Sequence, residues 1–280
     1  NGISYFLVGN SESAKIRQTE FNKYLRLVFR HNVINNDLKK RLSSKRWDTF
    51  FQVSRELMCA YFIEEILGYK IIFYPKGAKN FIGEYLLKYS DDESIFVEVK
   101  APIREAPKGP WCGDDAEIIK RNVKKARKKM FRNNKKSIVI LAPDLRFPIS
   151  CDASGIEEAL YGREVFTIPI DTKTGSPIGG TRLRFEPSGI FQPTVNTRIS
   201  AVGILEDSIK DLYLISCLIH VLSKKKIPID DALPKNAFEY IFKVYHNPYT
   251  INPIDRNVFK NWPQFALDKK LNKMEWIDNK

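Results

Sequence analysis

The period of the hydrophobic pattern changes along the first half of the chain. From Trp47 to Leu67, apolar side chains recur at helical spacing, and Gly68 supplies a stop signal. Three shorter runs of strand type follow at Lys70 to Tyr74, Phe81 to Tyr89 and Ser94 to Lys100. The pattern therefore predicts one helix and then three strands.

The second and third of these strands form a predicted hairpin, because the polar stretch between them suits a turn. If the turn is centred on Asp91, Glu84 lies opposite Glu98 and the apolar side chains of both strands fall on the other face. Side chains alternate along a strand, so Glu98 and Lys100 share one face. A slip of one residue would point Glu84 away. The convergence of two carboxylates and one lysine therefore depends on the predicted register.

A crossover unit is predicted after the hairpin. A Pro- and Gly-rich loop leads into a helix from about Asp115 to Asn133, with one apolar stripe and lysine or arginine over most of the rest. The run from Ser137 to Ala142 is apolar throughout, which is typical of a strand buried on both faces. A helix that joins two such strands indicates a parallel pair.

The flanking regions add helices before this core and strands after it. We predict a helical N-terminal extension over 1–45, a core over 46–148 and a C-terminal elaboration over 149–280, together one compact domain because no repeat or long linker is found. The C-terminal elaboration could extend the core sheet or contact the target. Its predicted strands are Glu164 to Ile170, Arg182 to Phe185 and Ile199 to Leu205, whereas Leu212 to Leu222 and Phe238 to Tyr245 are ambiguous between strand and helix.

The charge of the chain indicates which kind of partner it binds. The chain has 46 Lys plus Arg against 33 Asp plus Glu, a net charge of +13, which favours phosphate-bearing partners. Ten basic residues and no acidic one lie between Lys120 and Lys136, although such a helix can also be only a solvated surface. If it binds nucleic acid, it supplies affinity without base specificity. The candidate binding residues are Lys120, Arg121, Lys124, Lys125, Arg127 and Lys128.

Other chemistries have little support in the sequence. Three histidines and four cysteines show no metal-ligand spacing and no C-x-x-C pair, so we expect structural histidines and free thiols in a reducing cytoplasm. The glycines of 171–180 lack the order of a phosphate-binding loop, so we expect a hairpin turn and no nucleotide cofactor. No apolar run reaches membrane length, and no membrane partner is expected.

The order of these elements resembles the PD-(D/E)XK nuclease superfamily, which has an αβββαβ core and includes many restriction endonucleases. The likeness covers 47–143. Glu84 matches the acidic position of the second strand, and Glu98 with Lys100 matches the (D/E)-x-K of the third. Glu56 matches a glutamate that many members carry on the first core helix. Where Glu84 stands, the family usually has Asp preceded by Pro.

The resemblance implies an α/β fold whose mixed central sheet is flanked by helices. It also implies a metal-dependent endonuclease that hydrolyses DNA phosphodiester bonds in restriction or other prokaryotic DNA defence or processing. Mg²⁺ or Mn²⁺ would be bound by Glu84, Glu98 and the carbonyl of Val99, which are the oxygen ligands that magnesium prefers. Lys100 would position or activate the attacking water. Glu56 would contact a metal-bound water or a second ion, or else it faces solvent.

Two other functions are compatible with the sequence. The first is a nucleic-acid-binding protein of the same fold with an inactive site, suggested by Glu84 in place of Asp. The second is a basic scaffold protein in which Glu98-Val99-Lys100 is only the end of a strand. DNA and RNA are both open as substrates. Cleavage of both DNA strands by one site per chain would favour a symmetric homodimer.

Overall fold

The fold combines five α-helices and ten strands in the part of the chain that a computed structural model describes. The described residues are 12–74, 84–103, 115–128, 130, 135–143, 153–186, 188–209, 238–268 and 273–277. The helices are α1 (Glu12–Arg30), α2 (Asn36–Leu42), α3 (Trp47–Tyr61), α4 (Asp115–Arg127) and α5 (Ala153–Leu160), with a π-helical turn at Phe62–Ile66 and a 3-10 turn at Arg256–Phe259.

Eight of the strands form one mixed sheet. They are β1 (Lys70–Phe73), β2 (Glu84–Lys88), β3 (Ser94–Lys100), β4 (Ser137–Leu141), β7 (Ala201–Ile209), β8 (Phe238–His246), β9 (Gln264–Asp268) and β10 (Lys273–Trp276), in the spatial order β1-β2-β3-β4-β7-β8-β9-β10. The pairs β3–β4, β4–β7 and β8–β9 are parallel, and the others are antiparallel. The strands β5 (Glu164–Thr167) and β6 (Arg182–Phe185) pair separately. The predicted α/β architecture, with helices around a mixed sheet, is confirmed at this level.

Helices cover both faces of the sheet, and each face has its own apolar core. On one face, α1, α2 and α3 pack against alternate residues of the hairpin, such as Tyr85, Leu87 and Val97. On the other face, α4 and α5 pack against Phe96 and Val139. Alternation along β2 and β3 sorts the side chains between these two cores. Because Glu84 and Glu98 occupy the even-numbered positions, they lie on the side of α4.

Several boundaries differ from the predictions. The helix predicted to Leu67 ends as an α-helix at Tyr61 and continues as the π-helical turn. The strand predicted to reach Ile170 ends at Thr167, two residues before Pro169, which has no N–H to donate to a ladder. The ambiguous segment at Phe238 is strand β8. Helix α5 and strands β9 and β10 were not predicted.

Some predictions lie outside the described residues. These include the whole of Leu212 to Leu222, most of the Pro- and Gly-rich loop (104–114), and residues 129 and 131–134 at the end of the second predicted helix.

Candidate active site at the end of strand β3

The predicted hairpin register is confirmed, and it brings two buried carboxylates together. Glu84 pairs directly with Glu98 across the antiparallel strands β2 and β3. Their exposed fractions are 2% and 1%. Directly opposed residues of an antiparallel pair have Cβ atoms about 4.5–5.5 Å apart and point to the same face. Two carboxylates at this spacing can reach a single cation.

Lys100 lies on the same face, two residues after Glu98. Its ammonium group forms an ion pair with Glu98 Oε1, and its side chain is 14% exposed. Parallel pairing with β4 places Val139 beside Glu98 and Leu141 beside Lys100, both apolar. The charged pair therefore has apolar neighbours on the β4 side and is largely buried, and hydrogen bonds and ion pairs in such surroundings are stronger than in water.

Glu56 comes to the same strand end from helix α3. It is 5% exposed, so its interpretation as a solvent-facing glutamate is wrong. Its Oε1 accepts hydrogen bonds from Arg41 and Gln52, both at 2.8 Å. Its Oε2 is buried and has no hydrogen-bond partner among the described residues. A buried oxygen in this state is an available acceptor for a water or another donor.

Gln52 is a residue of this site that sequence reasoning missed. Besides its bond to Glu56, its Nε2 donates to the carbonyl of Val99 at 3.3 Å, and its Oε1 accepts the N–H of Ala101 at 3.0 Å. The amide thus fastens α3 to the end of β3 and lies against the carbonyl expected to bind metal. The only signal in the sequence is that Gln52 stands four residues before Glu56 on a helix, a spacing at which side chains meet.

Arg41, on helix α2, is the second missed residue. It reaches Glu56 from 15 positions away in sequence, and no local pattern indicates that contact. Its side chain is 14% exposed, and it also lies 3.8 Å from Asp37. Arg41 therefore holds one oxygen of Glu56 and fixes the direction of the carboxylate.

Tyr85 lies on the opposite side of the hairpin from Glu84, in the core beneath α3. Burial raises the pKa of its phenol well above the usual value, and Cys59, Glu56 and Glu98 raise it further. The hydroxyl has no hydrogen-bond partner among the described residues. Tyr85 is therefore a neutral phenol at neutral pH, and it contributes no charge to the strand end.

Helix α4 presents the predicted basic surface. Arg121, Lys124, Lys125 and Lys128 line an open groove of about 520 Å³ together with Glu117 and Ile118, and all four basic residues are exposed. Arg127 is exposed outside the groove. Lys120 differs, because its side chain is only 13% exposed and pairs with Glu117 at 2.9 Å. Five of the six candidate residues are thus accessible to a phosphate backbone.

The described histidines have structural partners. His31 lies 2.8 Å from Glu64, and His246 lies 2.7 Å from Gln264. Cys59 is a buried free thiol whose pKa is raised, chiefly by burial. The remaining predictions of this kind, for His220, Cys112, Cys151 and Cys217, lie outside the described residues.

The oxygen atoms at the strand end suit a hard divalent cation, but they form a small set. Within the described ranges, no group of three or more His, Cys, Asp or Glu side chains is placed to hold a metal ion. Glu84, Glu98 and the Val99 carbonyl are two carboxylates and one backbone oxygen. This set fits Mg²⁺, which typically takes one or two carboxylates and completes its shell with water and phosphate.

Comparisons with known proteins do not assign this site to a family. No family model, curated protein or solved structure matches the chain. Among the described residues, no helix is long and apolar enough to cross a membrane.

Proposed function

We propose that this protein is a metal-dependent endonuclease with a restriction-endonuclease-like core, which hydrolyses DNA phosphodiester bonds in restriction or another form of prokaryotic DNA defence or processing. One observation carries the proposal. Glu84 and Glu98 are buried directly opposite each other, with Lys100 on the same face, where β3 ends. A pair of buried like charges destabilises a sheet, so its presence at a strand end favours a functional role.

Glu84, Glu98 and the carbonyl of Val99 would hold Mg²⁺ or Mn²⁺. The ion would polarise the phosphoryl group and lower the pKa of a bound water. Lys100, which pairs with Glu98 in this structure, would turn to a phosphate oxygen of the substrate and stabilise the charge that develops there. Glu56, held in direction by Arg41 and Gln52, would accept a proton or hydrogen bond from a water through Oε2.

The α4 groove would hold the phosphate backbone next to this site. Helix α4 lies on the sheet face that carries Glu84 and Glu98, and it packs against β3. Its exposed lysines and arginines would contact phosphates and release counterions, which makes binding fall steeply with salt. These contacts position a duplex without reading its bases.

Nucleic-acid binding without cleavage is the second candidate function, and two contacts favour it. Lys100 is engaged with Glu98, and Gln52 donates to the Val99 carbonyl. Lys100 would have to leave Glu98 before it could contact a phosphate, and Gln52 already occupies one of the two lone pairs of the Val99 carbonyl. A protein that keeps both contacts would use the α4 groove alone.

A cleavage assay on purified protein separates these functions. Supercoiled DNA, linear DNA and RNA are incubated with Mg²⁺ or Mn²⁺ and with wild type, Glu98→Ala or Lys100→Ala. The matched control is Asp92→Ala, a turn residue of the same hairpin. We expect DNA cleavage by wild type and the control, and a loss of about 10²-fold or more in both active-site variants. Filter binding in the absence of metal should be similar for Lys100→Ala and the control.

The outcomes are distinct. Salt-sensitive binding with no cleavage by wild type supports the second candidate. Cleavage that survives both substitutions contradicts the proposed site. If neither binding nor cleavage occurs, the basic scaffold interpretation is favoured.

A further inference from the structure

The start of helix α2 is fastened to the sheet next to the candidate active site. Asn35, the residue before α2, donates from Nδ2 to the Tyr74 hydroxyl at 3.1 Å, and that hydroxyl donates to Val33 O at 2.9 Å. Tyr74 follows β1 directly, at the end of this strand that lies beside the start of β2 and therefore beside Glu84. Its φ of +53° is rare for a residue with a side chain, and such a conformation persists only where surrounding contacts hold it.

The end of α2 is fastened to the same site through Glu56. Arg41 pairs with Glu56 at 2.8 Å, and Leu38, one turn earlier, is 2% exposed in the core beneath α3. Residues three positions apart on a helix are neighbours, so Leu38 and Arg41 share the face that packs inward. Lys39 and Lys40 lie on the other side of the helix and are exposed. The packing of α2 therefore fixes where these two lysines stand relative to the active site.

The charge around α2 is unbalanced. Residues 36–48 contain five basic and two acidic side chains. Both acidic side chains have basic neighbours within this segment, because Asp37 lies 3.8 Å from Arg41 and Asp48 lies 2.7 Å from Arg46. The remaining three lysines are exposed and pair with no carboxylate in the described part of the chain, and we call them the α2 patch: Lys39, Lys40 and Lys45.

The α2 patch and the α4 groove lie on opposite faces of the sheet, with the end of β3 between them. Helix α2 belongs to the apolar core on one face, and helix α4 belongs to the core on the other. Strand β3 contributes to both cores, and its last turn of chain carries Glu98 and Lys100. Phosphates recur about every 3.4 Å along each strand of a duplex. Nucleic acid that lies on the α4 groove and extends past the end of β3 would therefore bring further phosphates towards α2.

We propose that the α2 patch binds nucleic-acid phosphates on the far side of the cleaved bond from those that the α4 groove holds. The inference rests on the proposed nuclease function, because that function places the cleaved bond at Glu84 and Glu98. A lysine binds phosphate as a point charge on a flexible stem, so the patch contributes affinity without reading bases. Contacts on both sides of the reacting phosphate limit its movement over the metal site.

The salt dependence of binding tests the proposal. Fluorescence anisotropy of a labelled DNA duplex, without divalent ions, measures the association constant of the full chain from about 50 to 300 mM salt. Wild type is compared with a double variant of the α2 patch (Lys39→Gln with Lys40→Gln), a double variant of the α4 groove (Lys124→Gln with Lys125→Gln) and the protein that combines all four substitutions. Circular dichroism should show the same fold for all of them, since these four lysines are exposed.

The matched control removes two exposed lysines at the other end of β1, as Lys70→Gln with Lys260→Gln. Lys70 begins β1, whose opposite end leads to Tyr74. Lys260 follows the 3-10 turn that Tyr69 contacts, because the Tyr69 hydroxyl donates to Val258 O at 2.6 Å. The control thus removes the same charge as each double variant, away from the strand end.

We expect the slope of log K against log salt to become shallower by about 2 in each double variant, because each removes two phosphate contacts. Affinity at low salt should fall about tenfold or more in each. The combined variant should lose about 4 from the slope, since one bound duplex contacts both surfaces. The control should bind with the slope of wild type.

A wild-type slope in the α2 double variant, with a reduced slope in the α4 double variant, would overturn the proposal and leave the proposed function standing. A combined variant no weaker than either double variant would also overturn it, because the two surfaces would then not hold the same duplex. Additive losses in a protein that never cleaves DNA would support the α2 contact and reject the nuclease. A wild type that does not bind DNA would reject both.

Discussion

Two neighbouring residues of helix α3 belong to two different clusters of buried charge. Glu56 belongs to the strand-end cluster, defined as Gln52, Glu56, Glu84, Glu98 and Lys100. Arg55 belongs to the helix cluster, defined as Glu20, Tyr24, Arg55, Asp207 and Tyr240. Both clusters contain carboxylates with little exposure to water. They differ in the groups that surround those carboxylates. The helix cluster attaches helices to the sheet, whereas the strand-end cluster carries the candidate chemistry.

In the helix cluster, each of the two carboxylates has a cationic partner, Lys23 for Glu20 and Arg55 for Asp207. Arg55 forms an ion pair with Asp207, and Glu20 accepts from Tyr240 and from Lys23, both at 2.7 Å. The Tyr24 and Tyr240 hydroxyls are 3.1 Å apart. The cavity beside them, about 20 Å³, has room for roughly one water. These contacts tie α1 and α3 to β7 and β8.

In the strand-end cluster, Lys100 pairs with Glu98, and Arg41, which approaches from helix α2, pairs with Glu56. Glu84 and Glu98 are directly opposed, and Glu56 Oε2 is buried without a hydrogen-bond partner among the described residues. Such an arrangement costs stability, which natural proteins accept chiefly at functional sites. The comparison therefore predicts that removing a carboxylate has opposite effects on stability in the two clusters.

The largest effect is expected in the helix cluster. Asp207→Ala leaves Arg55 buried without its ion-pair partner, and we expect the free energy of unfolding to fall by about 3–5 kcal/mol. Urea denaturation followed by tryptophan fluorescence measures this change. The control is Glu206→Ala, one residue earlier on β7, which should change stability by less than about 0.5 kcal/mol. Equal losses of stability in Asp207→Ala and Glu206→Ala would mean that the ion pair of the helix cluster does not stabilise the fold.

Gln52 gives the next largest effect, because its amide holds the strand-end cluster together. Gln52→Ala removes hydrogen bonds to Glu56, Val99 and Ala101, and we expect a loss of about 2 kcal/mol. Faster hydrogen exchange of the Ala101 N–H would show that the loss is local. Thr49→Ala, at a half-buried residue in the first turn of the same helix, is the control. Unchanged exchange at Ala101 would mean that the amide does not hold the strand end.

The sequence predicted some of these features and not others, for a physical reason. Glu84 opposite Glu98 could be predicted because alternation and a short turn fix the register of a hairpin locally, and the structure has that register. The contacts of Arg41 with Glu56 and of Arg55 with Asp207 span 15 and 152 positions. Pairing at such separations depends on how helices pack on the sheet, which no local pattern encodes.

The same reason explains the missed elements of the C-terminal region. Strand β9 pairs in parallel with β8, and β10 returns antiparallel to β9, although both are short. A four- or five-residue strand carries little periodicity of its own. Its conformation is fixed by the edge it joins. The long strand β8 offers that edge, but its own assignment was ambiguous from sequence.

A smaller effect of opposite sign is expected at Glu84. Glu84→Gln keeps the shape of the side chain and removes one of two buried charges that face each other, so the free energy of unfolding should rise by about 1 kcal/mol without divalent ions. Saturating Mg²⁺ should stabilise wild type by more than one kcal/mol at about ten times the dissociation constant, and the variant much less. Thermal denaturation with and without Mg²⁺ measures both. A destabilised variant with an unchanged Mg²⁺ response would contradict this account of the cluster.

The smallest expected effect on stability comes from His246, a buried titratable residue outside both clusters. It tests whether the two clusters alone determine how stability responds to acid. Burial lowers the pKa of His246, nearby Arg256 lowers it further, and the hydrogen bond to Gln264 opposes both. The unfolded chain then binds a proton more readily than the folded one, so this histidine supports stability above its unfolded pKa of about 6.5 and loses that support as pH falls through its lower folded pKa. His246→Gln cannot titrate. Between pH 7 and 5.5 its unfolding free energy should therefore fall less than that of wild type, by a difference of no more than about 1 kcal/mol, since carboxylates common to both proteins cancel in the difference. Urea titrations at the two pH values measure this difference. If wild type and His246→Gln lose the same unfolding free energy, the whole acid response comes from the carboxylates.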